Sequence, residues 1–173
     1  KPAMIVMPII FSEPDRFGKD DVLAKQMDGV VIAQAPSNKA SKFEGSPRGI
    51  AVVGQKPDGW LQRFLGIVRP LKTFEENAAG VGVLAASGEI DGVVRRMPMV
   101  VQIDKELYPT LSLEVIRALT GDPSYQMKVG LNGIESVRVP QFETIQTDSN
   151  ARVWIKYNKE FDRRLIYHMD DIE

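Results

Sequence analysis

The chain has 173 residues with 22 basic and 23 acidic side chains, a length that fits one domain with a real core and a charge balance that argues against nucleic acid as a partner. Having no cysteine, it is excluded from disulfides, thiolate catalysis and thiolate metal sites. Its longest clean apolar run, residues 3–11 (AMIVMPIIF), falls far short of the roughly 20 residues of a membrane-spanning helix and lacks signal-peptide flanks.

In chain order, residues 3–11 are apolar on both faces, as a strand covered by helices on two sides is, with a bulge or an end near Pro8. A turn follows (SEPDRFGK), then a short helix in which Asp20 or Asp21 is the cap and Val22, Leu23 and Met27 are the apolar side, stopped by Gly29. Residues 30–35 (VVIAQA) read as a strand parallel to the first. Residues 36–48 are rich in Ser, Asn, Lys, Gly and Pro and predict a mobile loop. Residues 49–54 (GIAVVG) predict a short strand, and the apolar group Trp60, Leu61, Phe64 and Leu65 after the KPDGW turn is read as the anchor of a long loop, with a ligand-facing aromatic as the alternative.

Leu71, Phe74 and Ala78 have helical spacing before Gly80. Residues 80–86 (GVGVLAA) and 89–102 (EIDGVVRRMPMVVQ) predict two strands of a hairpin about Asp91-Gly92, since glycine accepts positive φ and Asp bonds its own backbone. Thr110 is placed to cap a helix (LSLEVIRAL) that buries Leu111, Val115, Ile116 and Leu119 and turns Glu114 and Arg117 outward, ending at Gly121 and Pro123. The remainder reads as strands at residues 125–129, 134–139 and 153–157, with a turn at Asn132-Gly133. The sum is an α/β fold: a single domain with a mixed β-sheet, helices packed on both faces and a strand-rich C-terminal half.

Gly80, Gly82 and Ala85 match a dinucleotide fingerprint, but a helix precedes the motif and a strand follows it, the reverse of what a pyrophosphate site needs. No cofactor is expected. Glu13, Asp15, Asp20 and Asp21 form an acidic cluster of the oxygen-donor type, better explained by a polar loop and a helix cap, so no metal site is assigned. His168, the only histidine, lies between Tyr167 and Asp170 and has no second histidine or placed nucleophile to work with. Arg95 and Arg96 are the strongest binding candidates, because two guanidiniums just inside a turn present paired donors to a carboxylate or another anion. Their competing role is structural, paired to Asp91, Asp148 or backbone carbonyls.

The ordered set IIFSEPD, an aliphatic-glycine segment, DGVVRR, a strand containing Pro98, YPTLSLEVIRAL, QTDSNARVWIKY and the final DDIE resembles the second class of CHASE domains. The resemblance implies a non-enzymatic, extracytoplasmic input domain of a membrane-bound bacterial receptor, with a class III adenylate or guanylate cyclase or a sensor kinase as output. The candidate ligand-binding residues remain those read from the paired guanidiniums and the acidic turn beside them, Arg95, Arg96 and Asp91, while Gly92, Pro98, Thr147 and Asp148 make up the structural turn and strand motif that matches the family pattern. Within the pattern the first arginine is the characteristic one, so Arg95 is expected to be buried against Asp91 or Asp148 while Arg96 reaches solvent. A strand and helix that precede the equivalent point in the family are not found, and a chain that starts on lysine directly before a strand reads as part of something longer. An uncovered N-terminal sheet edge then favours a homodimer. The signal is an unknown small molecule or protein, nucleic acid is not expected, and the membrane is reached only through flanking segments. The rival readings are a soluble α/β enzyme fragment that uses the acidic cluster with the arginines, and a dimerisation module that binds nothing small.

Overall fold

The computed structural model describes residues 2–41, 49–86 and 88–157. The described residues form thirteen strands and three helices in the order β1 (Ile5–Met7), α1 (Asp20–Ala24), β2 (Val30–Ser37), β3 (Ile50–Gly54), β4 (Arg63–Phe64), β5 (Gly66–Val68), α2 (Lys72–Asn77), β6 (Gly80–Val83), β7 (Arg96–Pro98), β8 (Val100–Ile103), β9 (Glu106–Pro109), α3 (Leu111–Thr120), β10 (Tyr125–Gly130), β11 (Gly133–Arg138), β12 (Ile145–Gln146) and β13 (Arg152–Trp154). The fold is mixed α/β. Among the described residues no helix is long and apolar enough to cross a membrane.

β2 is the axis of the first sheet, with β1 and β6 both parallel to it and β5 antiparallel to its far end. Alternation along β2 sends Val30 and Ile32 to one face, where they pack with Ala24, Met27 and Phe74 from the segments of α1 and α2. On the other face lies α3. Val31 and Ala33 are paired with Gly80 and Gly82 of β6, and a Cβ on either glycine would strike α3, at the Glu114 carboxylate and at the Leu111 backbone respectively. The two glycines therefore serve close helix-on-sheet packing, which accounts for the fingerprint without a cofactor.

That close approach corrects the expected orientation of α3. Glu114 is 0 % exposed and Arg117 5 %, whereas Leu119 is exposed. Arg117 donates to both Glu114 oxygens, at 3.1 and 2.9 Å, and its other N–H groups reach the Asp122 carbonyl at 2.9 Å and the Ala79 carbonyl at 2.6 Å. A buried pair persists when hydrogen bonds satisfy its remaining donors, and here those bonds fasten α3 to the start of β6 and to the loop after the helix. Gly121 ends α3 at φ +70°, as expected.

The strand-rich half is built on the sheet β12-β11-β10-β3, whose β10–β11 hairpin turns tightly between Gly130 and Gly133. Its inner face carries Tyr125, Met127, Val129 and Val137 into the largest core cluster, with Leu61 and Leu113. β9, β8 and β4 form a third sheet, and β7 with β13 a two-stranded ribbon.

Several local expectations are revised. β1 is only three residues long and lies at a sheet edge with Ile5 and Val6 exposed, so residues 3–11 are not a strand sandwiched between helices. Lys19, not Asp20 or Asp21, occupies the cap position of α1. Residues 80–86 and 89–102 do not pair as a hairpin: β6 pairs with β2, β7 with β13, and β8 with β9 and β4. The turn itself is present, closed by Gly92 N–H to the Glu89 carbonyl at 2.8 Å with Gly92 at φ +77°. The loop predicted to be mobile lies partly outside the described residues; at its described end the Ser41 hydroxyl accepts from Ile67 N–H at 2.9 Å and donates to the Ile67 carbonyl at 3.1 Å. Leu61 is buried and Trp60 packs beside the core, but Leu65 is exposed. His168 lies outside the described residues.

Candidate functional site

Two tight turns meet at the β7–β13 ribbon. In the first, the Asp91 carboxylate accepts from Val93 N–H at 3.1 Å and from Arg95 at 2.9 and 2.6 Å. In the second, Asp148 accepts from the N–H groups of Asn150 and Arg152 at 3.0 and 2.9 Å and from Arg152 Nε at 2.8 Å. Both turns thus carry an aspartate bonded to its own loop and to an arginine four residues later, a spacing visible in the sequence. The register Arg152 to Pro98, Val153 to Met97 and Trp154 to Arg96 brings the turns side by side.

Arg96 joins them. Its Nε donates to Glu89 Oε1 at 2.8 Å and its Nη1 to Asp148 Oδ2 at 3.2 Å, while the guanidinium lies 5.1 Å from the centre of the Trp154 ring. Asp91, Arg95, Glu89, Arg96, Asp148 and Arg152 therefore form a ladder of alternating charge, three carboxylates against three guanidiniums. The Tyr157 hydroxyl donates to the Val94 carbonyl at 2.6 Å, and Ile155 N–H donates to the Arg95 carbonyl at 2.8 Å, extending the tie beyond β13.

The pairing is reflected in proton affinity. The hydrogen bonds from Arg95 and from Val93 N–H hold the Asp91 carboxyl below its ordinary range. For Asp148 burial acts upward, but the hydrogen bonds from Arg152 and the backbone outweigh it and leave the carboxyl lowered. Arg95 is held in its charged form chiefly by Asp91, and Arg96 chiefly by Glu89.

The two arginines are ranked opposite to expectation. The Arg95 side chain is 41 % exposed and the Arg96 side chain 25 %. Arg95 does bond Asp91, but at the surface, because Asp91 sits at the tip of an open turn. Arg96 turns inward because its strand is paired with β13, which brings Asp148 and Trp154 to it. The sequence reading missed Glu89, Arg152 and Trp154; the i, i+4 repeat of Asp-Arg was the available signal for Arg152, whereas Glu89 and Trp154 join through the ribbon register alone.

An open cleft of about 570 Å³ lies between residues 88–91 and the side chains of Arg95, Arg96 and Arg152. It offers guanidinium donors, carboxylate acceptors and the exposed side chain of Ile90. The remaining motif residues are structural in their contacts. The Pro98 carbonyl accepts from the Thr110 hydroxyl at 2.8 Å, so Thr110 joins β7 to the start of α3 and makes no side-chain cap. Thr147 N–H donates to the Glu135 carbonyl at 3.1 Å, placing it beside β11, and its buried hydroxyl has no hydrogen-bond partner among the described residues.

The acidic cluster stands apart from the arginines. Asp15 N–H donates to Asp20 Oδ2 at 2.9 Å and Lys19 N–H to Asp15 Oδ2 at 3.2 Å, which is turn chemistry. Among the described residues no set of three His, Asp or Glu side chains is placed to hold a metal ion.

No curated protein and no solved structure matches the chain. The family model of the CHASE2 domain matches residues 1–172. The chain therefore belongs to the CHASE2 domain family, the extracellular sensory modules of signalling receptors.

Proposed function

We propose that this domain is the non-enzymatic, ligand-responsive input module of a membrane-bound bacterial receptor, with a class III adenylate or guanylate cyclase or a sensor kinase as output. The family match supports sensing. The observation that carries the choice of site is the unequal anchoring of the two arginines. Arg96 is held by Glu89, Asp148 and Trp154, so it serves as the fixed post of the ribbon. Arg95 is clamped by the exposed Asp91, a partner that a carboxylate or phosphate of a ligand replaces without opening the core.

Such an exchange frees the tip of the 89–93 turn while Arg96 keeps the ribbon closed. A ligand that binds the freed arrangement better than the clamped one shifts the population between them by its difference in affinity, which is the physical content of sensing. Because Tyr157 and Ile155 bond the same segment as Arg95, the ribbon connects the turn mechanically to the chain that follows β13.

Placement outside the cytoplasm is tested by fusing alkaline phosphatase after residue 173 of the domain in its full-length receptor. Phosphatase activity supports the proposal. An inactive fusion, with a cytoplasmic reporter active at the same point, contradicts it.

A further inference from the structure

We propose that β3 is a dimerisation edge, at which a second copy of this chain adds its own β3 antiparallel about a two-fold axis through Val52. β3 ends the sheet β12-β11-β10-β3 and, among the described residues, is bonded on one side only, to β10. β9 comes close but forms no ladder with it, and residues 51–54 remain exposed, with Val52 at 40 % and Val53 at 55 %.

The free hydrogen-bonding groups can be assigned. Gly54 is in register with Val129, and Gln55 N–H donates to the Val129 carbonyl at 2.9 Å. In a parallel ladder alternate residues bond the partner, so Ala51, Val53 and Gln55 face β10. Ile50, Val52 and Gly54 aim their N–H and C=O groups at the open edge. β1, a second apolar edge with exposed side chains, is a poorer template. Ile5 N–H is used on the Gly29 carbonyl at 3.0 Å, leaving Val6 as the one outward residue of its three, and Pro8 next beyond it has no N–H.

The strand fits itself. Antiparallel pairing about Val52 sets Val52 against Val52 of the partner subunit, Ile50 against Gly54 of the partner subunit, and Ala51 against Val53 of the partner subunit. All outward-facing residues meet outward-facing residues, and every bulky side chain off the axis meets a small one. No charge or proline interrupts residues 50–54, although charge and proline are the usual means of keeping an edge from pairing. Such an interface is isologous and closes on itself. A second copy is therefore the occupant, in preference to an extended segment of another protein.

This deepens the receptor reading by naming the partner and the edge, and its test is separate from ligand response. Sedimentation of the domain should show a dimer, and Val52→Lys, at an exposed site, should be a folded monomer by circular dichroism. Because the chain has no cysteine, Val52→Cys gives an unambiguous second readout: hydrogen-bonded antiparallel partners have Cα atoms roughly 5.5 Å apart, inside the disulfide range. Val52→Cys should form a disulfide-linked dimer under mild oxidation faster than Leu131→Cys, an exposed control outside β3. A wild-type monomer, a dimer that persists in folded Val52→Lys, or Val52→Cys linking no faster than the control overturns the proposal. If Val52→Lys fails to fold, the cysteine comparison decides.

Discussion

Arg96 donates to Asp148 across 52 residues of chain, at 3.2 Å. The bond joins the turn after β6 to the turn before β13, and Glu89 and Trp154 hold the same guanidinium from its other sides.

Arg96→Ala should lower the melting temperature more than Arg95→Ala, because it removes the shared partner of two carboxylates and a stacked ring. Arg96→Lys should recover little of the loss, since an ammonium cannot present the planar fork to Glu89 and Asp148 together. Thermal melts of the three variants check this; equal small losses would show that the ladder is solvated surface charge.

Arg117→Ala should cost about 3 to 5 kcal/mol, the usual consequence of removing one partner of a buried ion pair. Adding Glu114→Gln should restore part of it, because the buried carboxylate charge that Arg117 balanced is removed. Denaturant titrations measure both, and a loss under about 0.5 kcal/mol, as at ordinary surface sites, would mean that the pair is not buried in solution.

Gly82→Ala should cost about 1 to 3 kcal/mol by overpacking, since its Cβ meets the Leu111 backbone. Wild-type stability should not respond to added NAD. A nucleotide-dependent rise in melting temperature would restore the cofactor reading of the glycines.

Asp148 predicts an acid dependence. Its carboxyl is lowered in the folded state, so its contribution is complete above the unfolded value of about 3.9 and is lost as pH falls through the lower folded value. Asp148→Asn should be less stable than wild type near neutrality, and the gap should narrow below about pH 4. A gap that is constant with pH would show that the carboxylate charge does not contribute.

The strands of β2, β3 and β10, the Asp91-Gly92 turn and the end of α3 at Gly121 were legible because each follows from local period or φ preference. The orientation of α3 was not. Apolar spacing put Leu119 inside and Glu114 outside, and only the missing side chains of Gly80 and Gly82, far away in sequence, make room for a buried charged pair. The hairpin failed for a similar reason: the turn is local, but β6 is claimed by β2 and β7 by β13, pairings that no window around residue 91 contains. At the site, Asp91 with Arg95 was readable from spacing. The greater burial of Arg96 was not, because it depends on which strand lies beside β7.

The most direct test of the account is a thermal-shift comparison of wild type and Arg95→Ala against inorganic phosphate, acetate, succinate and the common amino acids. A binder of the folded state must raise the melting temperature by mass action. The account predicts that at least one of these anions stabilises the wild type and that Arg95→Ala, itself folded, loses the response. No shift with any of them, or a shift that is unchanged in Arg95→Ala, would contradict ligand recognition at the Asp91–Arg95 clamp.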